Sequence, residues 1–112
     1  MDNRSNFIRG SVELLVLQIL SEGECFGTQI SELIEEYSDG IISLPVGTLY
    51  PTFYRLEEKG YIEVEQRIVN RRLRTYYHIL DSGKKYYKST VEEYKLINKG
   101  VQSILDRKNR KE

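Results

Sequence analysis

One cysteine, Cys25, and one histidine, His78, are all that the 112-residue chain holds of those two types, and tryptophan is missing altogether. A single cysteine excludes an internal disulfide framework. One Cys and one His fall short of a protein zinc site, and no metal-ligand spacing is present. A nucleophilic Cys25 needs a base, and the one histidine lies on a segment that reads as a strand. There is no glycine-rich phosphate loop. No catalytic residue, metal ligand or cofactor is therefore expected. Long hydrophobic runs are also lacking: the most apolar stretch, residues 11–20, is interrupted by Glu13 and Gln18. It falls short of the ~18 residues that a membrane-spanning helix requires. With no basic leader before a small-residue cleavage site, a cytoplasmic protein without a membrane partner is expected.

Basic residues are absent from a long part of the chain. Residues 10–54 hold seven acids and no Lys or Arg, residues 55–80 six bases against four acids, and the remainder nine against five. The formal net charge is zero, but a polarised neutral protein still presents a basic surface, and the local field is what attracts phosphate. The length fits one compact unit with a modest core.

Both prolines, Pro45 and Pro51, fall in residues 45–62, PVGTLYPTFYRLEEKGYI. Leu49, Phe53 and Leu56 recur at i, i+4 and i+7, one buried face of a helix. Thr48, Pro51, Thr52 and Arg55 are placed on the opposite side. Pro51 is taken to sit early enough that its missing N–H has no intrahelical acceptor to lose. Gly60 supplies the left-handed residue that ends the helix. An apolar rail inside, with short polar groups and an arginine outside, suits a recognition helix that must come near base edges. The plainer alternative is an amphipathic helix with a solvated outer face.

Two helices are expected before this one. The first covers residues 7–20, with Gly10 weakening its start; the second covers residues 28–37, capped by Gly27 or Thr28. Residues 38–40 break the second helix, and the β-branched run at residues 41–44 is expected as a small edge strand. After Gly60, residues 61–68 alternate, with Ile62, Val64 and Ile68 on the inner side, and residues 75–80 form a second strand. Asn70 tolerates left-handed backbone, which puts the hairpin tip at Asn70-Arg71. Arg67, Arg71, Arg72 and Arg74 crowd into eight residues, with no acid in residues 66–80. Three helices followed by a basic hairpin form a winged helix-turn-helix, with the hairpin as a wing suited to phosphate or minor-groove contact.

The last helix is expected from about residue 82 to 108, with the final six residues fraying. Tyr87, Thr90, Tyr94, Ile97, Val101 and Ile104 are spaced 3, 4, 3, 4, 3, a coiled-coil-like seam. Little of the chain is left to cover so long a helix, so it is expected to pair with a second subunit. Gly100 costs about 1 kcal/mol in a helix interior and suggests a close backbone approach or a bend. The fold class is then α+β and mostly helical, with a winged helix-turn-helix domain at residues 1–81 and a dimerisation helix at residues 82–112.

Gly47-Thr48-Leu49-Tyr50-Pro51, Arg55-Leu56-Glu57-Glu58-Lys59-Gly60-Tyr61-Ile62, Arg72, Arg74, Tyr76-Tyr77 and Asp81-Ser82-Gly83 together carry a resemblance to the PadR family of bacterial transcriptional regulators. The chain is similar to the short subgroup, which dimerises through a single C-terminal helix. The resemblance implies a homodimeric DNA-binding repressor, released by a small aromatic effector, and a two-fold dimer is expected to act on a palindromic double-stranded operator. The drug binders of the short subgroup place a Trp on the last helix, and this chain has none; three further departures stand out. Phe26-Gly27-Thr28 replaces the usual His-Gly-Tyr or Tyr-Gly-Tyr, the glycines of the wing are missing, and Leu80 replaces a capping Thr, a role that Asp81 is expected to take over.

The DNA-contacting residues expected are Thr48, Tyr50, Pro51, Thr52, Arg55, Arg71, Arg72, Arg74 and Tyr76. The dimer seam is assigned to Tyr87, Tyr94, Ile97, Val101 and Ile104. An effector cavity between the first and last helices is assigned to Phe7, Leu14, Tyr94, Ile97 and Val101. The competing function is a winged-helix protein–protein module whose acidic half, residues 10–54, suits a basic partner.

Overall fold

The apolar rail at residues 49–56 does form one side of a helix, and the other elements pack around it. The computed structural model describes residues 3–108 and 110. In chain order the elements are α1 (Asn3–Ile8), a tight helical turn (Arg9–Ser11), α2 (Val12–Glu22), β1 (Cys25–Phe26), α3 (Gly27–Tyr37), α4 (Val46–Glu58), β2 (Ile62–Val69), β3 (Arg72–Ile79) and α5 (Asp81–Leu105). The strands form one antiparallel sheet in the order β1-β3-β2. The core joins Val16, Leu17, Ile19 and Leu20 of α2, Ile30 and Ile34 of α3, and Leu49, Phe53 and Leu56 of α4 to Ile62, Tyr77 and Ile79 of the sheet. This is a winged helix with a long C-terminal helix, as expected from the sequence.

Several local expectations need correction. The first helix is broken: Gly10 lies in the turn between α1 and α2, where its low helix propensity is tolerated. Residues 41–44 make no strand. Gly40, at φ +79°, turns the chain after α3, and its N–H donates to the Glu35 carbonyl at 2.8 Å. The Ile42 N–H then donates to Ser38 Oγ at 3.0 Å, and the Leu44 carbonyl accepts from Ser31 Oγ at 2.5 Å. Side chains thus take backbone groups that a ladder would have used. The third strand is β1 instead, paired through Cys25 with Tyr77 and through Phe26 with Tyr76.

Neither expected cap forms. Phe26 holds the N-cap of α3 and Leu80 that of α5, without a side-chain bond. Asp81 lies inside the first turn of α5, where its charge complements the helix dipole. Because α4 begins at Val46, Pro51 does leave an acceptor without a donor: the carbonyl of exposed Gly47, four residues earlier. Gly60 ends α4 with φ +76°, while the Tyr61 N–H donates to the Leu56 carbonyl at 2.9 Å. Ile68, placed on the inner side from the sequence, is 78% exposed, because β2 and β3 extend past the body they pack on.

No domain boundary falls at residue 81. The first turns of α5 lie on the body, with Gly83 buried and Tyr86 and Tyr87 packed against the core. Ser82 Oγ donates to the Gly60 carbonyl at 2.6 Å. A Cβ on Gly83 would meet the Tyr61 carbonyl oxygen at 2.1 Å and Ile79 Cγ1 at 2.9 Å. Backbone cannot retreat as a flexible side chain does, so only glycine fits there. From residue 92 to Leu105 every residue of α5 is exposed. Beyond α5, residues 107, 108 and 110 are not helical; the remaining residues expected to fray, 109, 111 and 112, lie outside the described residues.

Gly83→Ala is expected to lower stability by about 3 kcal/mol, the upper range for overpacking, with a matching drop in the urea midpoint. Gly10→Ala, where an added Cβ meets nothing within 4 Å, is the control and should shift the midpoint little.

Candidate nucleic-acid interface

The rail of α4 points inward, which leaves Gly47, Thr48, Tyr50, Pro51 and Tyr54 on its exposed side. Thr48 secures the helix start, since its N–H and its hydroxyl both donate to the Pro45 carbonyl, at 2.9 and 2.7 Å. Its hydroxyl oxygen keeps free acceptor capacity. Tyr50 meets Phe53 edge-on at 5.9 Å between ring centroids. It also lines a cleft of about 230 Å³ bounded by Phe26, Gly27 and Thr28 at the start of α3 and by Leu73, Arg74, Thr75 and Tyr77 of β3. Burial pushes the Tyr77 phenol up to about 12, so it stays a neutral hydroxyl.

Two residues expected on this face are not there. Thr52 is 3% exposed, buried among the core side chains, and cannot reach a base edge. It stands three residues after Leu49 and four before Leu56, which puts it on the flank of the buried rail, and its small size lets that flank close on the core. Arg55 is half-exposed but directed back: its Nε lies 3.6 Å from Glu13 Oε2 and its Nη2 donates to Thr52 Oγ1 at 3.2 Å. Glu13 also accepts a 2.7 Å hydrogen bond from the Tyr86 hydroxyl. One α2 carboxylate therefore ties α4 to α5, and that bond raises the Tyr86 phenol above its ordinary range.

The arginine cluster divides in two. Arg67 is held at the wing root by Glu24, at 2.5 Å, and by Glu65, at 2.9 Å, with its guanidinium 4.4 Å over the Tyr76 ring. The same two carboxylates raise the Arg67 pKa. Arg74 lies 4.5 Å over the Phe26 ring, which meets Tyr76 edge-on at 5.7 Å. Tyr76 is thus a layer of this stack and half-buried. Arg71 and Arg72 are exposed, and among the described residues neither side chain makes an ion pair or hydrogen bond. Asn70 and Arg71 both take positive φ, +52° and +65°, the two-residue turn that keeps the hairpin slender.

Sequence reasoning missed Glu13, Glu24 and Tyr54. Glu24 had no local signal, because its partner Arg67 lies 43 positions away. Tyr54 had one: it stands four residues after Tyr50, on the same side of the helix.

Of the residues assigned to dimer and effector sites, Tyr87 is committed to its own chain, donating its hydroxyl to Gln18 Oε1. Tyr94, Ile97, Val101 and Ile104 stand exposed on α5. Leu14 is half-buried on α2, and Phe7 turns to a different groove, with Ile8, Ile41 and Ile42. One protomer therefore does not gather the five effector residues into one cavity. Burial raises the Cys25 thiol, which stays protonated. Among the described residues no group of three or more His, Cys, Asp or Glu is placed to hold a metal, and no helix is long and apolar enough to cross a membrane.

Comparison with known proteins agrees with the fold. The model of the transcriptional regulator PadR-like family matches residues 16–89. A transcriptional regulator from Mycobacterium tuberculosis is 32% identical over 78 residues, 70% of each chain. An uncharacterised protein of Lysinibacillus sphaericus is 30% identical over 92% of this chain and 95% of its own. Among solved structures, a transcriptional regulator from Clostridium thermocellum has a TM-score of 0.82 at 38% identity, covering 88% of this chain and 97% of that one. A PadR family regulator from Eggerthella lenta has a TM-score of 0.81 at 25% identity, covering 92% of this chain and 88% of that one.

The clamp at the wing root gives a pH signature. Arg67 holds the Glu24 and Glu65 carboxyls below the ordinary value of 4.5. A depressed carboxyl contributes stability that is complete above its unfolded value and is lost as pH falls through the lower folded one. Glu24→Gln should therefore remove part of the acid-side loss of stability below about pH 4.5 and leave the neutral limb parallel to wild type. Urea midpoints from pH 2 to 7 check this.

Proposed function

The chain belongs to the PadR-like family of transcriptional regulators, and on that premise we propose that it is a sequence-specific DNA-binding repressor acting as a homodimer. The observation that carries this reading is the pairing of the exposed α4 face, with Thr48, Tyr50, Pro51 and Tyr54, and a hairpin tip whose two arginine side chains are unpaired. The N-terminal half of α4 enters the major groove, with Thr48, Tyr50 and Pro51 nearest the bases. The unpaired Arg71 and Arg72 meet phosphate. Arg74 and Tyr76 support the wing from behind, and Arg55 reaches phosphate only by leaving Glu13.

The exposed half of α5 supports the dimer. Tyr94, Ile97, Val101 and Ile104 repeat at coiled-coil spacing, and a second copy is the partner that matches them. The two α4 helices then address half-sites one helical turn apart, ~34 Å, on a palindromic operator. A small aromatic effector lodges between the protomers against Tyr94, Ile97 and Val101, with Leu14 and the partner copy closing the site. It releases DNA to the extent that it binds the DNA-free dimer more tightly than the bound one.

Three outcomes are expected. Thr48→Glu sets a carboxylate against the groove and should abolish specific duplex binding while the thermal transition moves little, because the Thr48 N–H bond to the Pro45 carbonyl is kept and an acid suits the first helical turn. Unchanged affinity for a duplex selected from a random pool would sink the assignment. Arg72→Ala should reduce the slope of log affinity against log salt by roughly 1. Removal of the residues after Gly100 should lower the sedimenting mass to that of a monomer and weaken DNA binding together, and a truncated chain that stays dimeric would contradict the assembly.

A further inference from the structure

The two faces of the wing differ in chemistry, and the apolar one is turned toward α4. Cross-strand partners share a face, and successive pairs alternate. Ile62 with Ile79 and Val64 with Tyr77 form the buried face. Two steps further, the same face carries Gln66 with Thr75, and then Ile68 with Leu73. The opposite face carries Glu63 with His78, Glu65 with Tyr76, Arg67 with Arg74, and Val69 with Arg72. The Arg67 ion pairs and the stacks of Arg67 on Tyr76 and Arg74 on Phe26 lie on that second face, while on the first Tyr77 meets Phe53 of α4 at 4.2 Å between ring centroids. Ile68 is 78% exposed and Leu73 66%, although they oppose each other across the hairpin. Charge would have been the ordinary choice for a solvated hairpin tip.

From these observations, and resting on the DNA-reading function above, we infer that Ile68 and Leu73 form an aliphatic wedge that enters the minor groove of duplex DNA beside the α4 site and kinks it. Three features select this occupant. The pair lies within four residues of Arg71 and Arg72, whose side chains are unpaired; Arg72 is on the opposite face, so a groove that closes around both sides of the narrow tip meets both charges. The tight turn at Asn70 and Arg71 makes a narrow end, two strands wide, about 5 Å between backbones. From the last packed pair, Val64 with Tyr77, to the turn at Asn70 is six residues, which spans roughly 20 Å at strand rise. That reach covers the half helical turn, ~17 Å, from a major-groove helix to the next minor groove. Apolar side chains inserted there unstack a base step and bend the duplex toward the major groove, most easily at pyrimidine–purine steps.

The wedge and the arginines are separable by salt. Burying aliphatic carbon releases no counterions, whereas each phosphate contact does. Ile68→Thr and Leu73→Thr keep strand-compatible side chains and change residues that are exposed in the free protein. The experiment uses the full chain and a duplex selected by it from a random pool, with end-to-end fluorescence transfer reporting the bend. Each variant should lose about tenfold in affinity with the salt slope unchanged. The double variant should lose the bend, and a TA or CA step should be enriched where the wing lands. Arg72→Ala should instead lower the slope and keep the bend. If the double variant binds and bends the duplex as wild type does, the wedge is overturned while the DNA reading stands. If wild type shifts no duplex at any salt concentration, both fail. If the double variant loses self-association without DNA, the pair covers a second copy of the chain and the wedge is likewise overturned.

Discussion

The backbone of Tyr61 is the point at which this fold closes. Its N–H completes the end of α4 through the Leu56 carbonyl, and its own carbonyl accepts the Leu80 N–H at 3.0 Å, where α5 is about to begin. Gly83 packs onto the same carbonyl with no room for a methyl group. The Tyr61 ring stacks on Tyr86 at 4.3 Å between centroids, 9° from parallel. One residue thus fixes the end of α4, the origin of the hairpin and the direction of α5. The position of α4 relative to both the wing and the long helix follows from that junction, and the Glu13 link to Arg55 and Tyr86 reinforces it from α2.

Charge is arranged by the same logic of root and tip. The wing root is neutralised internally: two carboxylates surround Arg67, and Arg74 rests on an aromatic ring. Positive charge without a partner is left at the turn. A neutral protein therefore presents a concentrated positive point beside the α4 surface, while the acids of α3, including Glu32, Glu35 and Glu36, are exposed on another helix. Such polarity orients an approaching polyanion more than it raises affinity at a distance, since screening removes most effects beyond about 10 Å.

Patterns of period 3.6 and period 2 carried most of the architecture. The α4 rail, the left-handed stop at Gly60, the two strands and the turn at Asn70-Arg71 were legible, because each is set by residues close in sequence, although β3 begins at Arg72 and not at residue 75 as expected. The errors came where distant partners decide. β1 exists because Cys25 and Phe26 find the edge of β3, and residues 41–44 stay irregular because Ser31 and Ser38 satisfy their backbone. Thr52 looked like a surface threonine until the flank of α4 closed on it. Arg67 and Arg74 looked equivalent to Arg71 and Arg72 by composition, and only the contacts with Glu24 and Phe26 separate them. Asp81-Ser82-Gly83 was visible as a motif, but its cause, a helix start pressed on a carbonyl, lies in three dimensions.

The far half of α5 grows from a packed base. Helix formation is limited by its first turn, and here that turn is supplied by the contacts of Gly83, Tyr86 and Tyr87. The fourteen exposed residues from 92 to 105 only propagate it, over roughly 21 Å. Propagation in water is nearly balanced and weakens on warming, and with residues 92 to 105 all exposed, the 2.8 Å bond from Gln102 to Asp106 holds the last turn without burial behind it. The arm of a single protomer therefore shortens gradually with temperature while the body keeps its dimensions up to its own cooperative transition. Any separation between two bodies set through such arms carries that thermal dependence until a neighbouring helix clamps the free end.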